Sequence, residues 1–198
     1  MTELEQALAR IASELADRGV KWCLVGGLAV GTRAEPRTTR DVDVAVSVAN
    51  DDEAEQLVAH LRSQGYSIGM VLEQDALGRL ATVRTISPGL ALPVVVDLLF
   101  ASSGIEPQIC AAAELIEIVP GLSVPVARAG HLIALKLLAR DDRSRPQDLD
   151  DARALLRYAE PGELERARDA VRAIAACGAA RGRDLVAALD ELLAEGEP

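Results

Sequence analysis

The chain predicts a mixed α/β (α+β) protein: a mixed β-sheet core flanked by helices, followed by a C-terminal helical lobe. Up to about residue 127, short apolar runs lie between Gly and Pro turns, as strands do. From residue 128 onward, apolar residues recur at helical spacing, with Pro146 and Pro161 as punctuation. Between the first two strands of the core stands Gly26-Gly27, and the second strand opens on Asp41-Val42-Asp43-Val44. Strands followed by helices suggest a core over 1–127 and a helical lobe over 128–198.

Leu4, Leu8, Ile11 and Leu15 share one helical face, and Gly19 stops that helix. Trp22 to Val25 reads as a strand running into the Gly-Gly turn. Leu28 to Val30 suggests a short helix, broken near Gly31 and Pro36. The polar connector Arg37 to Arg40 leads into the Asp-x-Asp strand. Asn50 caps a helix over 54–63, which Gly65 ends. Three strands follow, Tyr66 to Leu72, Leu80 to Ile86 and Pro93 to Phe100. Short extended pieces at 116–119 and 122–126 precede helices over 128–140, 147–159, 161–176 and 182–195.

Apolar residues make up 49% of the 198 positions, enough for a proper core, and aromatics only 2%, so aliphatic side chains must fill it. The scarcity of aromatics argues against base-stacking recognition of single strands. A net charge of −10 disfavours general binding to phosphate backbones, and DNA is not an expected partner. Cys23, Cys110 and Cys177 are scattered in apolar sequence and read as reduced core thiols. No leader and no run of about 20 apolar residues is visible, so a cytoplasmic protein with no membrane partner is expected.

Alternation puts Asp41 and Asp43 on one strand face and Val42, Val44 and Val46 on the other. Two carboxylates about 7 Å apart on one face suit hard cations such as Mg²⁺, which take one or two carboxylates and otherwise water and phosphate oxygens. Gly26-Gly27 permits close approach of a phosphate to backbone N–H groups at a helix start. Asp97 stands alone in the apolar run Val94 to Phe100, where an unpaired carboxylate costs several kcal/mol. Its place beside a cation clamp marks it as a third member of the cluster; pairing with an arginine is the structural alternative. Lys136 lies in a helix apolar nearly all round, with Arg140 one turn on, and reads as an ammonium set to neutralise a triphosphate. Asp148 and Asp151 share a helix face, where they either complement the helix dipole or orient a nearby cation.

Taken together, Gly26-Gly27, Arg37-x-Thr39-x-Asp41-Val42-Asp43, Asp97, Lys136 and Arg145-Pro146-Gln147-Asp148-Leu149-x-Asp151 resemble the nucleotidyltransferase superfamily. Within it they resemble the AbiEii/MenT-type nucleotidyltransferase toxins and their relatives. The resemblance implies a polymerase-β-like core that uses an NTP and Mg²⁺, with Mn²⁺ as the alternative ion, to place an NMP on an acceptor hydroxyl. Asp41, Asp43 and Asp97 would be both catalytic and metal-holding, with two ions. Gly26, Gly27, Arg40, Lys136 and Arg140 would contact the NTP, and Thr39, Arg145, Asp148 and Asp151 would support them. The tRNA 3′ end is the implied acceptor and a cognate antitoxin the implied partner. Recognition of tRNA would require Arg33, Arg37, Arg143, Arg145 and Arg157 to gather in one rim. A small hydroxylated molecule, as for antibiotic-modifying relatives, and a protein hydroxyl are the other acceptors. A non-enzymatic nucleotide- or partner-binding module of the same fold is the rival reading.

Overall fold

A computed structural model describes residues 1–74, 77–141 and 146–196. Helix α1 (Glu3–Asp17) starts at a reciprocal cap: the Glu5 N–H donates to Thr2 Oγ1, and the Thr2 N–H donates to the Glu5 carboxylate. It buries Ala7, Leu8, Ile11 and Leu15. Strand β1 (Lys21–Val25) then leads into α2 (Gly26–Arg33), β2 (Asp41–Ser47) and α3 (Asp51–Ser63), the last capped by the Asn50 side chain. The chain continues through β3 (Ser67–Gln74), β4 (Arg79–Ile86), β5 (Val95–Leu99), α4 (Glu106–Ala111), β6 (Glu114–Val119) and β7 (Leu122–Val126). Four helices finish it: α5 (Ala129–Ala139), α6 (Gln147–Arg157), α7 (Glu163–Ala176) and α8 (Leu185–Gly196).

The strands form one mixed seven-stranded sheet in the order β3-β4-β5-β2-β1-β7-β6. Its centre positions the site. β2 lies antiparallel to β1 and parallel to β5, so Asp43 faces Asp97 in register. β4 lies antiparallel to β5 on the other side, which sets Arg84 opposite Asp97. β7 adds to β1 in parallel through Leu24 and Val126. One buried apolar cluster extends from Ala7 in α1 to Leu192 in α8. Residue 127, the expected border between core and helical lobe, lies within that cluster between β7 and α5.

Three details differ from the sequence expectation. The helix after β1 begins at Gly26 itself and runs through Gly31 to Arg33, because one exposed-backbone glycine costs a helix about 1 kcal/mol without breaking it. The helix at Glu106–Ala111 carries no periodic signal in so few residues; the Glu106 carboxylate fixes its start by accepting from the Ser103 N–H and hydroxyl. Cys177, at the C-cap of α7, is exposed rather than in the core, while Cys23 is buried and Cys110 half-buried. Among the described residues, no helix is long and apolar enough to cross a membrane.

Candidate active site

The alternation of β2 buries Val42, Val44 and Val46 completely and leaves Asp41 and Asp43 half-buried on the opposite face. Asp97 joins them from β5. One carboxylate oxygen from each of the three lies within 4.8 Å of the others. Three acids this close repel one another, and the structure meets that cost locally. Arg84 grips Asp97 with a two-pronged fork: Nε donates to Oδ1 at 2.9 Å and Nη2 to Oδ2 at 2.6 Å. That grip, aided by the charges of Asp41 and Asp43, raises the Arg84 guanidinium above its ordinary range against the effect of burial. Thr39 fixes a second member, its hydroxyl donating to Asp41 Oδ1 at 2.8 Å.

The paired glycines leave room for these side chains. Gly26 takes a left-handed backbone (φ 64°), and a Cβ there would lie 1.9 Å from Asp43 Oδ2. A Cβ on Gly27 would lie 2.6 Å from the Arg37 guanidinium and 2.9 Å from Thr39 Oγ1. The acidic cluster and the connector therefore cross directly over the first turn of α2.

A second charged cluster faces the first across the cleft. Lys136 Nζ of α5 lies 2.8 Å from both Asp148 Oδ1 and Asp151 Oδ2 of α6, and Arg37 Nε lies 2.9 Å from Asp151 Oδ1. Lys136, Asp148 and Asp151 are all buried. The buried lysine and two carboxylates carry a net charge of −1, which Arg37 balances from the exposed edge of the cluster. The acidic first turn of α6 thus holds cations by contact, in addition to any helix-dipole effect.

Both clusters open on one cleft of about 630 Å³. Gly26, Gly27, Thr39, Arg40, Asp41, Asp43, Asp97, Lys136 and Asp148 all line it. Arg140 follows α5 as its C-cap, and the stretch of α5 that lines the cleft ends at Ala139. Arg145, and Arg143 beside it, lie outside the described residues. Of the arginines expected in a basic rim, Arg33 pairs with Glu114, Arg37 with Asp151 and Arg157 with Glu35. Arg84 was not singled out from sequence. Its signal was a charge in mid-strand, on the face of β4 opposite buried Ala81, Val83 and Thr85.

A family model described as "Nucleotidyl transferase AbiEii toxin, Type IV TA system" matches residues 6–197. The chain belongs to the AbiEii nucleotidyltransferase family. This AbiEii protein shares its fold with the crystal structure of an antigenic nucleotidyltransferase-like protein from Paracoccidioides brasiliensis. The two are 21% identical over 95% of this chain and 92% of that one, with a TM-score of 0.55. It also resembles the solution structure of the antibiotic-resistance factor ANT(2″)-Ia, at 16% identity over 98% of this chain and 96% of that one, with a TM-score of 0.51. Comparison with curated proteins gives no match. The AbiEii chain is a nucleotidyltransferase, and nucleotidyltransferases commonly use divalent metals. Its triad fits such an ion: three hard oxygen donors converge at the rim of a cleft large enough for a nucleotide.

Proposed function

We propose that this chain transfers an NMP from an NTP to an acceptor hydroxyl in a Mg²⁺-dependent reaction. In this reading the tRNA 3′ end is the acceptor, and the activity makes the chain the toxin of a toxin–antitoxin pair with a cognate antitoxin. The convergence of Asp41, Asp43 and Asp97 from neighbouring strands supports the chemistry. The family description supports the toxin role. Asp41 and Asp43, with Asp97 completing the set, would hold Mg²⁺, which supplies neutralisation of the triphosphate and orientation of its oxygens. Asp97 accepts the proton of the attacking hydroxyl as its oxygen bonds to the α-phosphorus. The bond from that phosphorus to the bridging oxygen breaks, and pyrophosphate leaves. Lys136 donates to Asp148 Oδ1 and pairs by charge with Asp151, and a further N–H of its ammonium would meet a phosphate oxygen. Arg40, Arg140 and the N–H groups at Gly26 and Gly27 complete the phosphate contacts, with Arg145 in support.

A small-molecule acceptor is the second reading. The ion pairs of Arg33, Arg37 and Arg157 favour it, because they engage those guanidiniums with carboxylates of the chain itself.

The test is incubation with each α-³²P-labelled NTP, Mg²⁺ and total tRNA, beside Asp41→Ala and Asp97→Asn proteins. Label on tRNA that both variants lose supports the first reading. Pyrophosphate release that needs a small-metabolite extract, with RNA unlabelled, moves the acceptor to the second. Native-rate transfer by Asp97→Asn would overturn the role given to that carboxylate.

A further inference from the structure

Asp97 serves two partners that draw on the same two oxygens. Its oxygens belong to the acidic triad, yet both accept from the Arg84 fork. A divalent ion shared with Asp41 and Asp43 needs one of those oxygens turned toward it. The Asp97 side chain is 9% exposed and the Arg84 side chain 43%. The arginine therefore has solvent to retreat into, and the carboxylate does not. The pairing is also built into the sheet, because Arg84 and Asp97 are register partners across β4 and β5.

We propose that Arg84 is a resident counter-cation of the triad, which competes with the incoming ion for Asp97 and so sets metal affinity. This rests on the reading of the triad as a metal site. While Arg84 holds Asp97, only the fraction of molecules with the fork released binds the ion in full. A fork closed in about nine molecules of ten raises the apparent Kd about tenfold. The guanidinium charge acts in the same direction, since it opposes a divalent cation at close range.

The test is Mn²⁺ titration of the full chain, followed by the electron paramagnetic resonance signal of the free ion, with a melting curve for each protein. Wild type, Arg84→Gln, Arg84→Lys, Asp97→Asn and the Arg84→Gln/Asp97→Asn double variant are compared. Arg84→Gln should bind Mn²⁺ about tenfold tighter than wild type. Arg84→Lys keeps the charge but loses the fork, and should fall between them. The gain from Arg84→Gln should shrink in the Asp97→Asn background, where the competition has lost its object. A merely structural role for Arg84 predicts weaker binding on removal, never tighter. Equal or weaker binding by a normally melting Arg84→Gln overturns the proposal; if that variant unfolds, Arg84→Lys decides by the same criterion. Wild-type binding that Asp97→Asn leaves unchanged also overturns it, while leaving an ion at Asp41 and Asp43. No binding in any variant, Arg84→Gln included, overturns the metal reading itself and this proposal with it.

Discussion

Gly26 and Asp43 compete for one volume: a Cβ on Gly26 would lie 1.9 Å from Asp43 Oδ2 and 2.7 Å from Asp43 Cβ. Rotating the carboxylate relieves the first contact but not the second, so Gly26→Ala must displace the strand residue itself. The left-handed backbone at Gly26 adds about 1–2 kcal/mol of strain for any side chain. The Gly26→Ala protein should melt a few degrees lower and lose transfer together with Mn²⁺ binding. A variant that melts lower yet binds Mn²⁺ normally would show that Asp43 tolerates the shift.

Lys136 is held by two buried carboxylates, and its removal takes a buried counter-charge from both, with Arg37 still beside Asp151. Breaking a buried ion pair from one side costs about 3–5 kcal/mol. In a protein of this size that lowers Tm on the order of 10 °C. Lys136→Met should therefore lose stability as well as activity. Lys136→Met/Asp148→Asn/Asp151→Asn should recover much of the stability and none of the activity. Thermal melts of the two proteins, beside transfer assays, check this; a Lys136→Met protein as stable as wild type would place the charge balance elsewhere.

The two halves of the site differed in how much the sequence revealed. Asp41 and Asp43 were legible because alternation is a local property, and two acids on the face opposite three valines have few structural uses. Asp97 was legible as a carboxylate inside an apolar strand. That its strand lies parallel and in register with β2 is not written in either segment, and neither is the pairing with Arg84, since both depend on strand order in the folded sheet. The glycine pair stood out by its type, but its reason, the crossing of Asp43, Arg37 and Thr39, is tertiary. The acidic turn of α6 was ambiguous for the same cause: an acid at a helix start looks alike whether it meets the dipole or a lysine from another helix. The break expected at Gly31 failed because a local propensity of about 1 kcal/mol yields to helix packing against β2.

Thr39 donates its hydroxyl to Asp41 Oδ1 at 2.8 Å and so orients a carboxylate of the triad. Partners of this kind typically carry a 10–100-fold share of metal affinity. Thr39→Val keeps the shape and removes the donor. It should weaken Mn²⁺ binding by about tenfold and raise the Mg²⁺ concentration at half-maximal transfer in parallel, while Tm stays close to wild type. Thr39→Ser should restore both. Failure of Thr39→Ser to rescue would mean that the methyl group, not the hydrogen bond, is what Thr39 supplies.

His131 makes stability depend on pH at a place remote from the triad. Burial pushes its imidazole from 6.5 down to about 4, with the charges of Arg166 and Arg128 acting in the same sense and Glu163 against them. The fold thus holds His131 neutral, and between pH 6.5 and about 4 the unfolded chain takes up a proton that the folded chain refuses. Stability is complete above pH 6.5 and falls with acidification, by about 2–3 kcal/mol at pH 4.5 from this group alone. Glu106, pushed upward by burial, works in the opposite sense over the acid range, so the wild-type curve by itself mixes the two. The difference between wild type and His131→Phe isolates the histidine, because Glu106 is common to both. His131 Nδ1 has no hydrogen-bond partner among the described residues, so the apolar ring strands nothing there. Urea unfolding at pH 7.5 and 4.5 should show wild type losing about 2–3 kcal/mol more than His131→Phe over that interval. Parallel losses in the two proteins would mean that His131 already carries its proton in the fold.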